Sequence, residues 1–341
     1  MPRLLVDTAV LSGHANALPL HWLDGFELLP FAPRELTAHT ARVHDADALL
    51  LRTATRVGAE LVSALPRLRS VATLSSGTDH VDAAALANHN VALHTGHGGN
   101  ARAVADWVLW ALRRLPPQNP RVLVVGVGAV GTAATKLLLE NGFQVTACDP
   151  PRGEREGAFS KLTLDEALRD GPWGAVSLHV PKVENGPHAT TNLLSFSRLQ
   201  HLTDAVVLNA ARGGVLDEGA AAALRRSGQL RGLAVDTFEG EPKPRTELLE
   251  TADLVTPHIA GHSIEGKLDV AHRAVTGLRT AFALPPSGTL EDAIAAVVDA
   301  LAAQDLSPFA ALDAAHHALK RAPADFEAIR HGHRRVEHFL R

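Results

Sequence analysis

The stretch RVLVVGVGAVGTAATKLLLENGFQVTACDP, residues 121–150, limits the fold of this chain more than any other. It opens with an apolar run, Val122 to Val125, of a length suited to a buried parallel strand. Gly126, Gly128 and Gly131 follow in G-x-G-x-x-G spacing, with Val130 inside the fingerprint, and a helical pattern then runs to about residue 141. A second apolar run, Val145 to Ala147, ends in Cys148 and Asp149. This is a βαβ unit with glycines at the strand-to-helix turn. Gly126 permits the tight turn, Gly128 lets backbone approach a pyrophosphate, and Gly131 lets helix and strand pack closely. The helix N-terminus offers N–H groups and a partial positive charge to phosphates. A glycine spacing alone marks any tight turn; flanked by two strands and closed by an acid, it predicts a dinucleotide site.

Asp149 is placed to accept hydrogen bonds from ribose hydroxyls, and its charge repels a 2′-phosphate, which favours NAD over NADP. Arg152, three residues on, is the residue that could accommodate that phosphate instead. A net charge of −4 gives no basic surface for nucleic acid. The single cysteine excludes a disulfide framework and a thiolate metal site. The N-terminal MPRLLVD enters a strand pattern directly, without signal-peptide sections, and no uncharged apolar run reaches membrane-span length. A cytoplasmic protein is expected.

The fingerprint begins more than a third of the way along, so a domain precedes it. Strand patterns at Leu4 to Val6, Ala48 to Leu51, Ser70 to Leu74 and Val91 to His94 alternate with helical ones. Further strands follow at Ala175 to His179, Ala205 to Leu208, Gly232 to Val235 and Leu254 to Thr256, with PPRGEREG after Asp149 read as a loop. The expectation is α/β, with two doubly wound parallel-sheet domains: a Rossmann-type NAD domain, 98–262, inserted in a flavodoxin-like substrate domain, 1–97 with 263–286. A short helical C-terminal segment, 287–341, completes the chain. Its histidines, His316, His317, His331, His333 and His338, lack thiolate or obvious carboxylate partners and read as a solvated helix face rather than a metal site.

Arg212, Glu241 and His258 follow strands of the second domain. A guanidinium holds a carboxylate bidentately, an imidazole moves a hydroxyl proton, and a carboxylate orients that imidazole. Each residue taken alone is as readily an ordinary loop residue. Together, Asn209-Ala-Ala-Arg212-Gly, Asp236-Thr-Phe-Glu-Gly-Glu241-Pro and Pro257-His258-Ile-Ala-Gly261 resemble the D-isomer-specific 2-hydroxyacid dehydrogenase family, as does the Gly-x-x-Gly-Asn-Ala pattern beginning at Gly96.

The resemblance implies that Arg212, Glu241 and His258 are catalytic and no metal is needed. It places Asp149, Val180, Ala210, Ala211, Arg212, Asp236 and Gly261 around NAD, and Thr53, Ser75 and His262 around the substrate. The runs Cys148-Asp-Pro-Pro-Arg152, Ser76-Gly-Thr-Asp-His-Val-Asp82 and His258-Ile-Ala-Gly-His-Ser-Ile-Glu-Gly-Lys267 are similar to one branch acting on a small phosphorylated 2-hydroxy acid. Arg52 and Lys267 are candidate phosphate ligands. Val180 and His262 stand where that branch has threonine and tyrosine. Other members, acting on 3-phosphoglycerate or on glyoxylate and hydroxypyruvate, and a non-enzymatic NAD-sensing corepressor, remain alternatives. The branch has a C-terminal dimerisation domain of helices and strands; this chain keeps helical parts such as Pro323 to Arg330, and a homodimer is the default expectation.

Overall fold

The computed structural model describes residues 1–11, 18–33, 35–41, 45–157, 159–160, 162–300, 308–335 and 337. Two compact units form: Met1–Asn100 with Ile264–Asp305, and Ala101–Ser263 with Leu306–Arg341.

In the first unit five strands, β1 (Arg3–Asp7), β2 (Glu27–Phe31), β3 (Ala48–Leu51), β4 (Ser70–Thr73) and β5 (Ala92–Thr95), pair in parallel in the order β2-β1-β3-β4-β5. That is the flavodoxin-like order. Strands β3 and β4 are buried along their whole length, as their uninterrupted apolar or small residues require. The sequence pattern passes over β2, because ELLPF carries Pro30, which has no N–H for a ladder. At the sheet edge that loss is tolerated, and Glu27, Leu28 and Pro30 are exposed there. The helix Ile264–Ala281 packs on β4 and β5. Gly96 and Gly99 exist for this packing: a Cβ on either would lie 2.3 Å and 2.6 Å from atoms of Val270.

In the second unit β6 (Arg121–Val125), β7 (Gln144–Cys148), β8 (Ala175–Leu178), β9 (Val206–Asn209), β10 (Gly232–Val235) and β11 (Leu254–Val255) form a parallel sheet, ordered β11-β10-β9-β8-β6-β7. The order reverses between β6 and β8, so the crevice at the carboxyl end of β6 is the switch point where ligands of such sheets bind. The helices Ala101–Arg114 and Ala129–Glu140 pack against each other beside this sheet.

The stretch after Asp149 is a helix, Pro150–Arg155, rather than a loop. Asp149 caps it by accepting the Arg152 N–H at 2.9 Å, and the two prolines fall at the first positions, where a helix needs no N–H. Tail helices Leu290–Ala300, Pro308–Arg321 and Phe326–Gly332 follow. Leu312, Leu319 and Phe326 are buried in the second unit, and the Lys320 ammonium donates to the carbonyls of Leu249 and Ala252, ending the helix Thr246–Thr251.

A wholly solvated histidine face is therefore not what forms. His316 Nδ1 accepts the Val255 N–H at 3.1 Å, which completes the edge strand β11, and His333 is buried. His338 lies outside the described residues. Among the described residues no group of His, Cys, Asp and Glu side chains is placed to hold a metal ion.

Candidate active site

The fingerprint loop shows why each glycine is a glycine. At Gly126, φ is +84°, and a Cβ would sit 2.7 Å from the Val180 side chain and 2.8 Å from the His179 backbone. At Gly131 it would sit 2.0 Å from the Gly126 carbonyl oxygen. At Gly128, by contrast, a Cβ would meet no protein atom within 4 Å. The first and third glycines serve packing, and the second keeps a side chain out of the space above the helix N-terminus. Gly128 caps the helix Ala129–Glu140 with no side-chain hydrogen bond, leaving its first turn for an anion. A pyrophosphate fits such a cradle.

Asp149 Oδ2 accepts the Val127 N–H at 2.8 Å, so the acid that ends β7 also fixes the fingerprint loop. Arg152 is committed elsewhere. It donates to the Val127 carbonyl at 2.8 Å, pairs with Glu156 at 2.9 Å, and lies 4.6 Å over the Phe159 ring. Cys148, beside Asp149, is buried, and burial followed by the Asp149 charge pushes its thiol up to about 12. It is an inert core residue.

The loops after β9, β10 and β11 meet at one place. His258 Nδ1 and Glu241 Oε2 are 2.7 Å apart. The other Glu241 oxygen, Oε1, accepts the Phe238 N–H at 2.8 Å. Burial works to raise the Glu241 carboxyl, but the His258 hydrogen bond and charge and the Phe238 N–H together hold it below the usual range. The loop of Arg212, whose guanidinium donates to the Ala211 carbonyl at 2.8 Å, is joined to the loop that carries Glu241. Gly213 abuts the next loop so closely that a Cβ would lie 1.9 Å from the Phe238 oxygen. Asn209, fully buried, donates to the carbonyls of Arg212 at 3.2 Å and Thr237 at 3.4 Å, joining the two loops, and accepts the Ala211 N–H at 3.1 Å.

His258 itself has φ +54°, a left-handed conformation that a residue with a side chain adopts only when its surroundings impose it. They do so through Asp236. The His258 N–H donates to the Asp236 carbonyl at 2.8 Å, and the Asp236 carboxylate accepts Thr256 Oγ1 at 2.5 Å and the N–H groups of Ile259 at 2.8 Å and Ala260 at 3.0 Å. Thr256 in turn accepts the Trp107 indole N–H at 2.8 Å. Burial pushes the Asp236 carboxyl up, against the pull of His258 and these three donors. Asp236 is 1% exposed, so its side chain organises the histidine loop. Asn209 opens the motif that carries Arg212, but Thr256 and Trp107 carry no motif of their own. The sequence signal for Thr256 is its position at a strand end, and Trp107 is 149 residues from its partner.

Arg52 and Thr53 follow β3 in the first unit, and Ser75 follows β4, where its hydroxyl donates to the Gly77 carbonyl at 2.6 Å. Lys267 lies in the first turn of the helix Ile264–Ala281. Gly261 and His262 follow the histidine loop in the second unit, the His262 N–H bonding to the Ile259 carbonyl at 2.8 Å. Ala210 and Ala211 precede Arg212. No helix among the described residues is long and apolar enough to cross a membrane.

Residues 96–260 match the model of the NAD binding domain of the D-isomer specific 2-hydroxyacid dehydrogenases. An erythronate-4-phosphate dehydrogenase of Shewanella baltica is 38% identical over 248 residues, 71% of this chain and 65% of that protein. The one of Shewanella oneidensis is 34% identical over 273 residues, 78% of this chain and 72% of that protein. The chain thus spans 65% of the length of the first curated relatives it matches. Among solved structures, D-lactate dehydrogenase from Aquifex aeolicus, complexed with NAD and lactic acid, superposes with a TM-score of 0.66 at 20% identity, covering 82% of this chain and 95% of that one. The NADPH-dependent glyoxylate/hydroxypyruvate reductase of Sinorhizobium meliloti, in complex with citrate, gives 0.67 at 21% identity, with coverages of 85% and 97%.

Proposed function

The chain belongs to the D-isomer specific 2-hydroxyacid dehydrogenase family, and from that membership we propose that it oxidises 4-phospho-D-erythronate to (R)-3-hydroxy-2-oxo-4-phosphooxybutanoate with NAD, a step of pyridoxal phosphate biosynthesis. The observation that carries the reading is the 2.7 Å contact of His258 Nδ1 with Glu241, in loops joined to that of Arg212. With Nδ1 engaged, Nε2 is the nitrogen left to take the C2 hydroxyl proton. Glu241 fixes the ring's orientation and stabilises the imidazolium that results. Arg212 binds the substrate carboxylate and polarises the C2 oxygen as its bond order rises. Gly128 and the N-terminus of the helix Ala129–Glu140 would hold the pyrophosphate of NAD, which would supply the hydride acceptor. Asp149 meets the adenosine ribose, and because Arg152 is already held by Val127, Glu156 and Phe159, NAD is preferred over NADP.

In this reading residues 1–97 and 263–286 are the substrate lobe, 98–262 the cofactor domain and 287–341 a reduced dimerisation segment of a cytoplasmic homodimer. Val180, Ala210, Ala211, Asp236 and Gly261 border the cofactor. Thr53, Ser75 and His262 border the substrate, and Arg52 and Lys267 bind its phosphate. NADH formation from a panel of 2-hydroxy acids tests the proposal. The phosphorylated four-carbon acid should give the highest kcat/KM, and preference for 3-phosphoglycerate, glycerate or lactate would overturn the substrate. Substituting Arg52 or Lys267 should raise KM for 4-phospho-D-erythronate far more than for D-erythronate; equal effects would remove their phosphate role. Light scattering tests the dimer.

A further inference from the structure

The tail does something within its own unit that its helices do not suggest. Arg335 is completely buried, and its guanidinium Nη2 donates to the Ala260 carbonyl at 2.6 Å and the Ala103 carbonyl at 2.8 Å. Its Nη1 lies 3.7 Å from Asp106 Oδ2, which is equally buried. Two residues on, Glu337 accepts the Ser263 hydroxyl at 3.0 Å and lies 3.5 Å from Arg102. The tail therefore binds both ends of the segment 260–263 and ties it to the first turns of the helix Ala101–Arg114.

Burying a guanidinium is costly, and an apolar side chain would fill the same volume more cheaply. What the guanidinium offers is a planar, rigidly oriented group whose Nη2 donates to two carbonyls while its Nη1 faces Asp106. Its target matters, because the Ala260 N–H is already held by the Asp236 carboxylate at 3.0 Å. Ala260 is thus fixed through both of its peptides, the preceding one by Asp236 from the sheet and the following one by Arg335 from the tail. Both grips act two residues from His258, in the stretch whose left-handed turn has to be imposed from outside.

We propose that Arg335 is a positioning residue for His258: through the Ala260 carbonyl it locks the histidine loop in its active geometry, with Glu337 on Ser263 as a second fastening. The claim rests on the dehydrogenase reading for its kinetic consequence but not for its structural one, so it is tested by two readouts on the full chain. The first is amide hydrogen exchange of the peptide covering residues 256–263, which needs no substrate. The second is turnover with saturating NAD. Arg335→Lys keeps a charge but loses the planar group that faces the two carbonyls and Asp106 together. It should speed exchange of that peptide and lower kcat about 10–100-fold, with KM changing less. Arg335→Ala should show the same loss and recover part of its kcat with added guanidinium ion, which wild type and His258→Ala should not.

If Arg335→Lys does not fold, Glu337→Gln gives a milder form of the same pair of measurements. Unchanged exchange in a folded variant overturns the proposal, as does faster exchange with unchanged kcat in an active enzyme. A wild-type protein that turns over no 2-hydroxy acid sinks the dehydrogenase reading instead, while the exchange result still decides whether Arg335 holds the loop.

Discussion

The fingerprint loop after β6 and the histidine loop after β11 both sit at carboxyl ends of one sheet, and they are built in opposite ways. The first achieves its shape by leaving side chains out: Gly126 and Gly131 let backbone touch backbone, and Gly128 keeps the approach to the helix N-terminus clear. The second achieves its shape by putting buried polar side chains in: Asp236, Thr256, Trp107 and Arg335 hold a backbone that no glycine relaxes at His258. A loop made by omission should fail sterically, at single positions. A loop made by hydrogen bonds should fail gradually, with function lost before the fold.

The largest effects test the first half of that contrast. Gly131→Ala gains about 1 kcal/mol of helix propensity. It also drives a methyl to 2.0 Å from the Gly126 oxygen, an overpacking cost of about 3 kcal/mol or more. Thermal unfolding should show the clash winning. Gly213→Ala, aimed at the Phe238 oxygen, should be as damaging. Gly128→Ala is the counterpart: stability should stay within about 1 kcal/mol of wild type. NADH affinity, read by fluorescence titration, should nonetheless fall about tenfold or more, at least 1.4 kcal/mol. If Gly128→Ala destabilises the protein as much as Gly131→Ala does, or if it binds cofactor normally, the division of labour among the glycines is wrong.

Asp236→Asn tests the second half. Three donors converge on two carboxylate oxygens, and an asparagine supplies one oxygen while turning an NH2 toward at least one of them. A buried donor left without an acceptor costs about 1–3 kcal/mol. Activity should fall further than that suggests, because His258 loses its imposed turn. Glu241→Gln should be gentler on the fold, since an amide oxygen can still accept the Phe238 N–H, yet it should lower kcat about 100-fold by removing the charge beside His258. Chemical denaturation beside kcat separates the two. An Asp236→Asn enzyme that loses stability and keeps its kcat would show that the turn at His258 needs no such support.

The same contrast explains what the sequence discloses. Omission is local: three glycines in six positions, bracketed by apolar runs and an acid, are legible by eye, and so is the parallel α/β class that the alternating runs dictate. The Arg212, Glu241 and His258 set is legible only through motifs, because each residue alone is ordinary. Of the support behind it, Asn209 and Asp236 stand in those same motifs, and the rest is not legible. Trp107 to Thr256 and Arg335 to Ala260 are contacts between positions far apart in the chain, made by residues whose types report only burial. Two local features were hidden for a different reason. Pro30 disguises the edge strand β2, and the prolines after Asp149 look like loop residues until the aspartate is seen to cap them.

The smallest effect sharpens the comparison through pH. Glu218 Oε1 accepts the Glu239 N–H at 2.6 Å, two residues before Glu241, so a carboxyl again holds a site loop. Burial, helped by the charges of Glu239 and Glu241 and opposed by the Glu239 N–H and by Arg245, pushes it up to about 7. A carboxyl raised on folding binds its proton more tightly in the native state, so its contribution to stability is complete below the ordinary glutamate range. That contribution is lost as pH rises from there through about 7. Glu218→Gln, which keeps an oxygen for the Glu239 N–H, should match wild type near pH 4. It should exceed wild type by roughly 1–2 kcal/mol at pH 8, read as a urea midpoint that no longer declines across that interval. A decline of the same size in both proteins would assign the titration to another group and leave Glu218 as a neutral support.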